Sequence, residues 1–172
     1  MTSLLILTLF PAAMLFASLF DLFTMKIPNA IVLALLAGFC IAAPLSGMGI
    51  ETALWSVGIA SAVLVVGFVL FSLNIMGGGD AKILFASSLW LGPAGTLDYL
   101  LIVGLAGGAL TLLLMSFRRM PLPEMAMQVS WIDRLHDRET GVPYGVALGP
   151  AALYVFPATP LALFALTGAS VG

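Results

Sequence analysis

Asp21 closes an uncharged stretch of 20 residues and Asp80 closes one of 28. Residues 1–20 carry no charge before Asp21, and residues 52–79 carry none before Asp80, which directly follows Gly77-Gly78-Gly79. An ionisable side chain in or beside a membrane-spanning segment is costly and marks a functional site by default. Two carboxylates brought a few ångströms apart resist ionising together, so they share a proton and supply an acid and a base to one site. Such a pair can activate water against a peptide carbonyl without a metal or a covalent intermediate. It titrates as a unit, which leaves the general base unassigned and predicts a bell-shaped dependence of activity on pH. Gly77, Gly78 and Gly79 suit this chemistry, because residues without side chains let an extended substrate backbone approach closely. The plainer reading seats each carboxylate in the headgroup region, paired with Lys26 or Lys82.

The rest of the chain offers little other chemistry. Of its 172 residues 62% are hydrophobic and 8% charged, about a third of the usual charged share of a soluble domain. With a mean hydropathy of +1.17 and a net charge of -2, the composition excludes a soluble globular enzyme, a disordered chain and a nucleic-acid binder. The single cysteine, Cys40, allows no intrachain disulfide and no cysteine-rich zinc site, and reads as a small buried hydrophobe. Glu124, Asp133, Arg134, His136, Asp137, Arg138 and Glu139 share one polar stretch, but without an H-E-x-x-H spacing they predict no metal site. On a helix, Trp131 and Leu135 would form an apolar strip beside a basic strip of Arg134 and Arg138, suited to the membrane interface and to receiving a substrate. Lys82, two residues past Asp80, would point away from it on a helix and serves as a charged anchor. Asn29 would cap or bridge polar groups at a turn. Lys82 and Asn29 join the three glycines as candidate substrate contacts.

These residues need helices to position them. Hydropathy and punctuation predict an all-α, polytopic membrane protein, one domain over residues 1–172. Helices are expected over about 3–22, 28–46, 51–75, 80–92, 98–117 and 144–167, with a polar loop over 118–143. Pro28 suits the first turn of the second helix. The fourth is short for a bilayer and implies glycine-rich backbone at membrane depth, tolerated where protein or a wet cavity covers it. Pro150, Pro157 and Pro160 should kink the last helix. With six crossings, Lys26, Lys82, Arg118, Arg119, Arg134 and Arg138 fall on one side, and Glu51 and Asp98 on the other. The positive-inside rule makes the basic side cytoplasmic, puts both termini outside, and brings Asp21 and Asp80 to one cytoplasmic level.

Gly77-Gly78-Gly79-Asp80-Ala81-Lys82 resembles the G-x-G-D motif of type IV prepilin peptidases. Asp21 ahead of Ile27-Pro28-Asn29 is similar to the other half of that signature, and Val142-Pro143-Tyr144-Gly145 resembles a further P-Y-G feature. The resemblance covers roughly residues 4–165. It implies an aspartic endopeptidase of the inner membrane, with Asp21 and Asp80 as the catalytic pair and no cofactor. The substrate would be a prepilin precursor, cut at the cytoplasmic face, and the implied partners are the bilayer and pilus-assembly machinery. Larger members add a domain with paired C-x-x-C motifs and methylate the new pilin N-terminus. This chain shows neither cysteine pair, so peptidase activity without methylation is expected. The short form looks like Tad/Flp-type peptidases and equally like archaeal preflagellin peptidases.

Two other readings keep the aspartates. Presenilin-type and signal-peptide-peptidase proteins also use G-x-G-D, but their later P-A-L motif has no clear match here. A small transporter or channel subunit could use Asp21 and Asp80 as ion ligands, yet no convincing inverted repeat is found.

Overall fold

The computed structural model describes residues 2–168. Eight helices form in order: α1 (Thr2–Thr24), α2 (Asn29–Leu45), α3 (Ile50–Ser72), α4 (Gly78–Phe117), α5 (Glu124–Met127), α6 (Ser130–His136), α7 (Gly145–Val155) and α8 (Pro160–Thr167). No strand occurs among the described residues. By length and apolar composition α1, α3 and α4 can each cross a membrane, and α7 with α8 makes a fourth candidate as one bent span. At 17 residues α2 is shorter than the roughly 20 that a hydrocarbon core asks for.

The two helices expected over 80–92 and 98–117 are one 40-residue element broken at a single residue. Gly92 has φ 69° and ψ -179°, a backbone region essentially reserved for glycine. Pro93 then opens the second limb at the first-turn position, where its missing N–H costs nothing. The chain thus reverses without the loop that the sequence suggests. The second limb returns toward the level of Asp80, since Gly107 and Thr111 lie against Tyr144, which lines a cavity with Asp80. Both limbs pack along α3, which touches α4 more than any other pair of elements touch.

The expected last helix is also two. Phe156–Ala158 forms a 3₁₀ turn, and α8 departs from α7 at 56°. Thr159 caps α8, its hydroxyl oxygen accepting from the Ala162 N–H, with Pro160 at the first position. By contrast α7 runs through Pro150 unbroken.

Trp90 centres the core, 1% exposed, with Phe10 and Phe39 around its ring and its indole N–H donating to the Leu35 carbonyl at 2.9 Å. Around this interior the outer faces stay apolar: Leu105 is 78% exposed, and Trp55, Phe68, Leu101 and Leu112 are exposed as well. In water so broad an apolar surface would drive association, whereas lipid solvates it. Exposed Cys40 lies on this surface, so the expectation of a buried cysteine is corrected: its face of α2 turns outward.

Candidate active site

Asp21 lies in the last turn of α1 and Asp80 in the first turn of α4, and the two residues line the same two cavities. Both are buried, at 6% and 7% exposure. Local chain geometry sets each one. After Asp21, Met25 adopts a left-handed φ of 54°, and its N–H donates to the Asp21 carbonyl at 2.8 Å. This closes the helix in the way a glycine usually does, and α2 begins four residues later. Gly77 is the extended residue ahead of α4, and Asp80 folds back over it. A Cβ on Gly77 would lie 2.9 Å from Asp80 Oδ2. Gly78 is closely packed too, since a Cβ there would meet the Phe71 ring at 3.2 Å, whereas one on Gly79 would make ordinary contact with Ile27 at 3.4 Å. A carboxylate in the first turn of α4 also suits the positive end of the helix dipole.

Asp21 is held from a third element. The Gly145 N–H, at the start of α7, donates to Asp21 Oδ2 at 2.6 Å, and the Ser18 hydroxyl donates to the Gly145 carbonyl at 2.7 Å. Both polar groups of one peptide residue therefore bind α1. Only a glycine permits this approach, because a Cβ at position 145 would sit 2.6 Å from the Asp21 Cβ. Gly149, one turn on, faces Ser18 and Met14 in the same close packing, a small-x-x-x-small seam of the kind that joins membrane helices.

Two cavities share Asp21, Met25, Gly77 and Asp80. One, of about 320 Å³, adds Lys26, Asn29, Lys82 and the remaining glycines. The other, of about 420 Å³, adds Phe71, Ile75, Met76, Val142 and Tyr144 among others. The carboxylates thus stand between a space lined by two lysines and one that adds the aromatic rings of Phe71 and Tyr144. Lys82 Nζ donates to Asn29 Oδ1 at 3.1 Å, so these two residues, from α4 and α2, meet on the cationic cavity. A larger cavity of about 470 Å³ lies between α3 and the limbs of α4, and its lining contains neither aspartate nor any other ionisable group.

The basic residues gather at this same end. Lys26 and Lys82 line the site. Arg134 Nη1 donates to the Phe23 carbonyl at 2.7 Å, and Trp131 meets the Phe23 ring edge-on, so α6 docks on the end of α1. Because α6 stops at His136, Arg138 lies beyond it, and the paired basic strip expected from helical spacing does not form. Instead Arg118, Arg119 and Arg138 surround a further cavity. His136 Nε2 meets the Met120 carbonyl at 2.9 Å.

Sequence reasoning named Asp21, Asp80, the glycines, Lys82 and Asn29, and the fold assembles all of them around the two cavities. It left out Ser18, and it cited Tyr144 and Gly145 as a P-Y-G feature without giving either a contact with Asp21. The one available signal was the Pro143-Tyr144-Gly145 triplet.

Fold and site together define a helical bundle of membrane type with a buried carboxylate pair at its basic end. The model of the type IV leader peptidase family matches residues 8–112 of this sequence. The match spans more than half of the chain, and the chain belongs to that family, whose activity is proteolytic and whose substrates are prepilins. The matched segment contains Asp21, the three glycines and Asp80, and stops short of Tyr144 and Gly145. No curated protein and no solved structure matches the chain.

Proposed function

We propose that this protein is an aspartic endopeptidase that removes leader peptides from type IV prepilins of the Flp/Tad kind at the cytoplasmic face of the inner membrane. The carrying observation is the convergence of Asp21 and Asp80, both buried, on the same two cavities of about 320 and 420 Å³. One carboxylate takes a proton from water as its oxygen bonds to the scissile carbonyl carbon. The other gives a proton to the amine as the C–N bond breaks. Gly77, Gly78 and Gly79 let the substrate backbone lie beside Asp80, with Lys82 and Asn29 contacting it on the cationic side. Six crossings with both termini outside accord with the gathering of basic side chains around the aspartates. The reading comprises hydrolysis alone, without methylation.

The test is co-expression with a prepilin and a read of leader loss as a size shift. The native chain should cleave, while Asp21→Asn and Asp80→Asn, nearly isosteric, should each lose at least about 100-fold in rate and still reach the membrane. Cleavage by either variant near the native rate would remove that aspartate from the mechanism. Mass spectrometry of the product should show an unmethylated N-terminal amine.

A further inference from the structure

We infer that Arg118 is a positioning residue for Asp21, acting through the segment that delivers the Gly145 N–H; the inference rests on the catalytic role proposed for Asp21. Arg118 caps the C-terminal end of α4. Its Nε donates to the Leu135 carbonyl at 2.8 Å, and its Nη2 donates to the carbonyls of Thr140 and Gly141, each at 2.8 Å. One planar guanidinium therefore gathers the end of α6 and the irregular chain after it. Hydrogen bonds from a charged donor are stronger than neutral ones, and the fixed fork of arginine can serve several acceptors at once.

The hold is transmitted over a short, stiff path. Between Gly141 and Gly145 lie only Val142, Pro143 and Tyr144, and proline fixes its own φ. Tyr144 is seated by the same face of α4. Its ring covers Gly107, where a Cβ would sit 2.9 Å away, and its hydroxyl lies 3.4 Å from the Thr111 hydroxyl. Positions 107, 111 and 118 share one helical stripe with buried Leu114. That stripe fastens the whole approach to α7, so that the Gly145 N–H reaches Asp21 Oδ2 at 2.6 Å. Without Arg118, the chain from 137 to 141 keeps the local turn in which Asp137 accepts from the Glu139 N–H and the Thr140 hydroxyl. Among the described residues the hydrogen bonds that tie this stretch to the end of α4 are those of Arg118, while His136 just before it meets the Phe117 ring of α4 edge-on.

The test combines kinetics of prepilin cleavage with hydrogen exchange in the full-length protein. Arg118→Gln should lower kcat about 10- to 100-fold, the scale expected when a reacting group is misplaced by about 1 Å, with KM unchanged. Peptides spanning 138–147 should exchange faster while those of α3 stay protected. Arg118→Lys, which keeps the charge but not the fork, should fall between Arg118→Gln and native. Arg119→Gln, which removes a neighbouring charge, should match native. The inference is overturned if Arg118→Gln retains native kcat, if its loss lies in KM, or if exchange over 138–147 is unchanged. It is also overturned if Arg119→Gln is equally impaired, which would mean that net charge matters and not the fork. A poorly folding Gln variant would show global loss of protection, and the Lys variant then carries the test. If Asp21→Asn still cleaves, the assignment of catalysis to Asp21 is what fails, and the exchange data still report whether Arg118 holds the segment.

Discussion

Replacing Gly145 by Ala probes the site at its tightest point. The added Cβ would lie 2.6 Å from the Asp21 Cβ and 2.8 Å from Oδ2. Ordinary van der Waals contact begins at 3.4 Å, so α1 and α7 must part by about 0.8 Å, the gap between 2.6 and 3.4 Å. The Gly145 N–H bond to Oδ2, now 2.6 Å, then stretches past hydrogen-bonding range. Overpacking of this kind costs about 1–3 kcal/mol. Leaving the buried donor unpaired costs about 1–3 kcal/mol more, so a loss of about 2–6 kcal/mol in stability is expected. The displaced carboxylate should lower turnover by about 100-fold. Gly149→Ala and Gly104→Ala calibrate the result. The first introduces a clash with Ser18 and Met14 but none with Asp21, and the second meets nothing within 4 Å. Thermal melts in detergent, paired with cleavage rates per folded molecule, separate the two effects. Gly149→Ala should be destabilised and should also lose turnover, because its Cβ parts the same two helices and displaces the Ser18 hydroxyl that holds the Gly145 carbonyl. Gly104→Ala should be at least as stable as native, since alanine favours a helix by about 1 kcal/mol over glycine. If Gly145→Ala melts and cleaves like Gly104→Ala, the contact between α7 and Asp21 does not exist as described.

Gly92→Ala should cost about 1–3 kcal/mol from backbone strain alone, because its Cβ would have space, with Ser56 Oγ 3.7 Å away; unchanged denaturation would mean that α4 does not reverse there. Trp90→Phe removes the indole donor to Leu35 and leaves a void among Phe10 and Phe39. It should lower stability by about 2–4 kcal/mol and leave turnover per folded molecule intact, as measured by melts and by cleavage corrected for folded protein.

The legible parts of the fold are those that composition and punctuation control. Uncharged runs locate α1 and α3, and Pro28 and the three glycines mark where α2 and α4 begin. The Gly92-Pro93 pair was legible as an interruption but not as a reversal, because hydropathy carries no information about a single φ. The same applies near the last helix. Three prolines were visible at 150, 157 and 160, yet only the segment around Phe156–Ala158 breaks. There Thr159 offers a side-chain cap that lets a new helix start, while Pro150 sits within the early turns of α7.

The site divides along a similar line. Asp21 and Asp80 were legible because a charge beside an apolar run is expensive and so must have a reason. Lys82 and Asn29 were visible as polar residues, but their meeting at 3.1 Å depends on how α2 and α4 face each other, which neither segment encodes alone. The hold on Asp21 was hidden for a more basic reason. Its donor is a backbone N–H, which every residue except proline possesses, so residue type cannot announce it. What residue type can announce is the space that such a contact needs, and Gly145 meets that need where any side chain would strike the Asp21 Cβ. Arg118 was counted only as a positive charge on one side of the membrane. Its three carbonyl partners lie 17 to 23 positions away, at the end of α6 and in the irregular chain after it, and no pattern in the sequence links them. A glycine two residues after a proline at the end of a polar stretch, together with an arginine at a helix end, is therefore the trace that a backbone-held carboxylate leaves in a sequence of this composition.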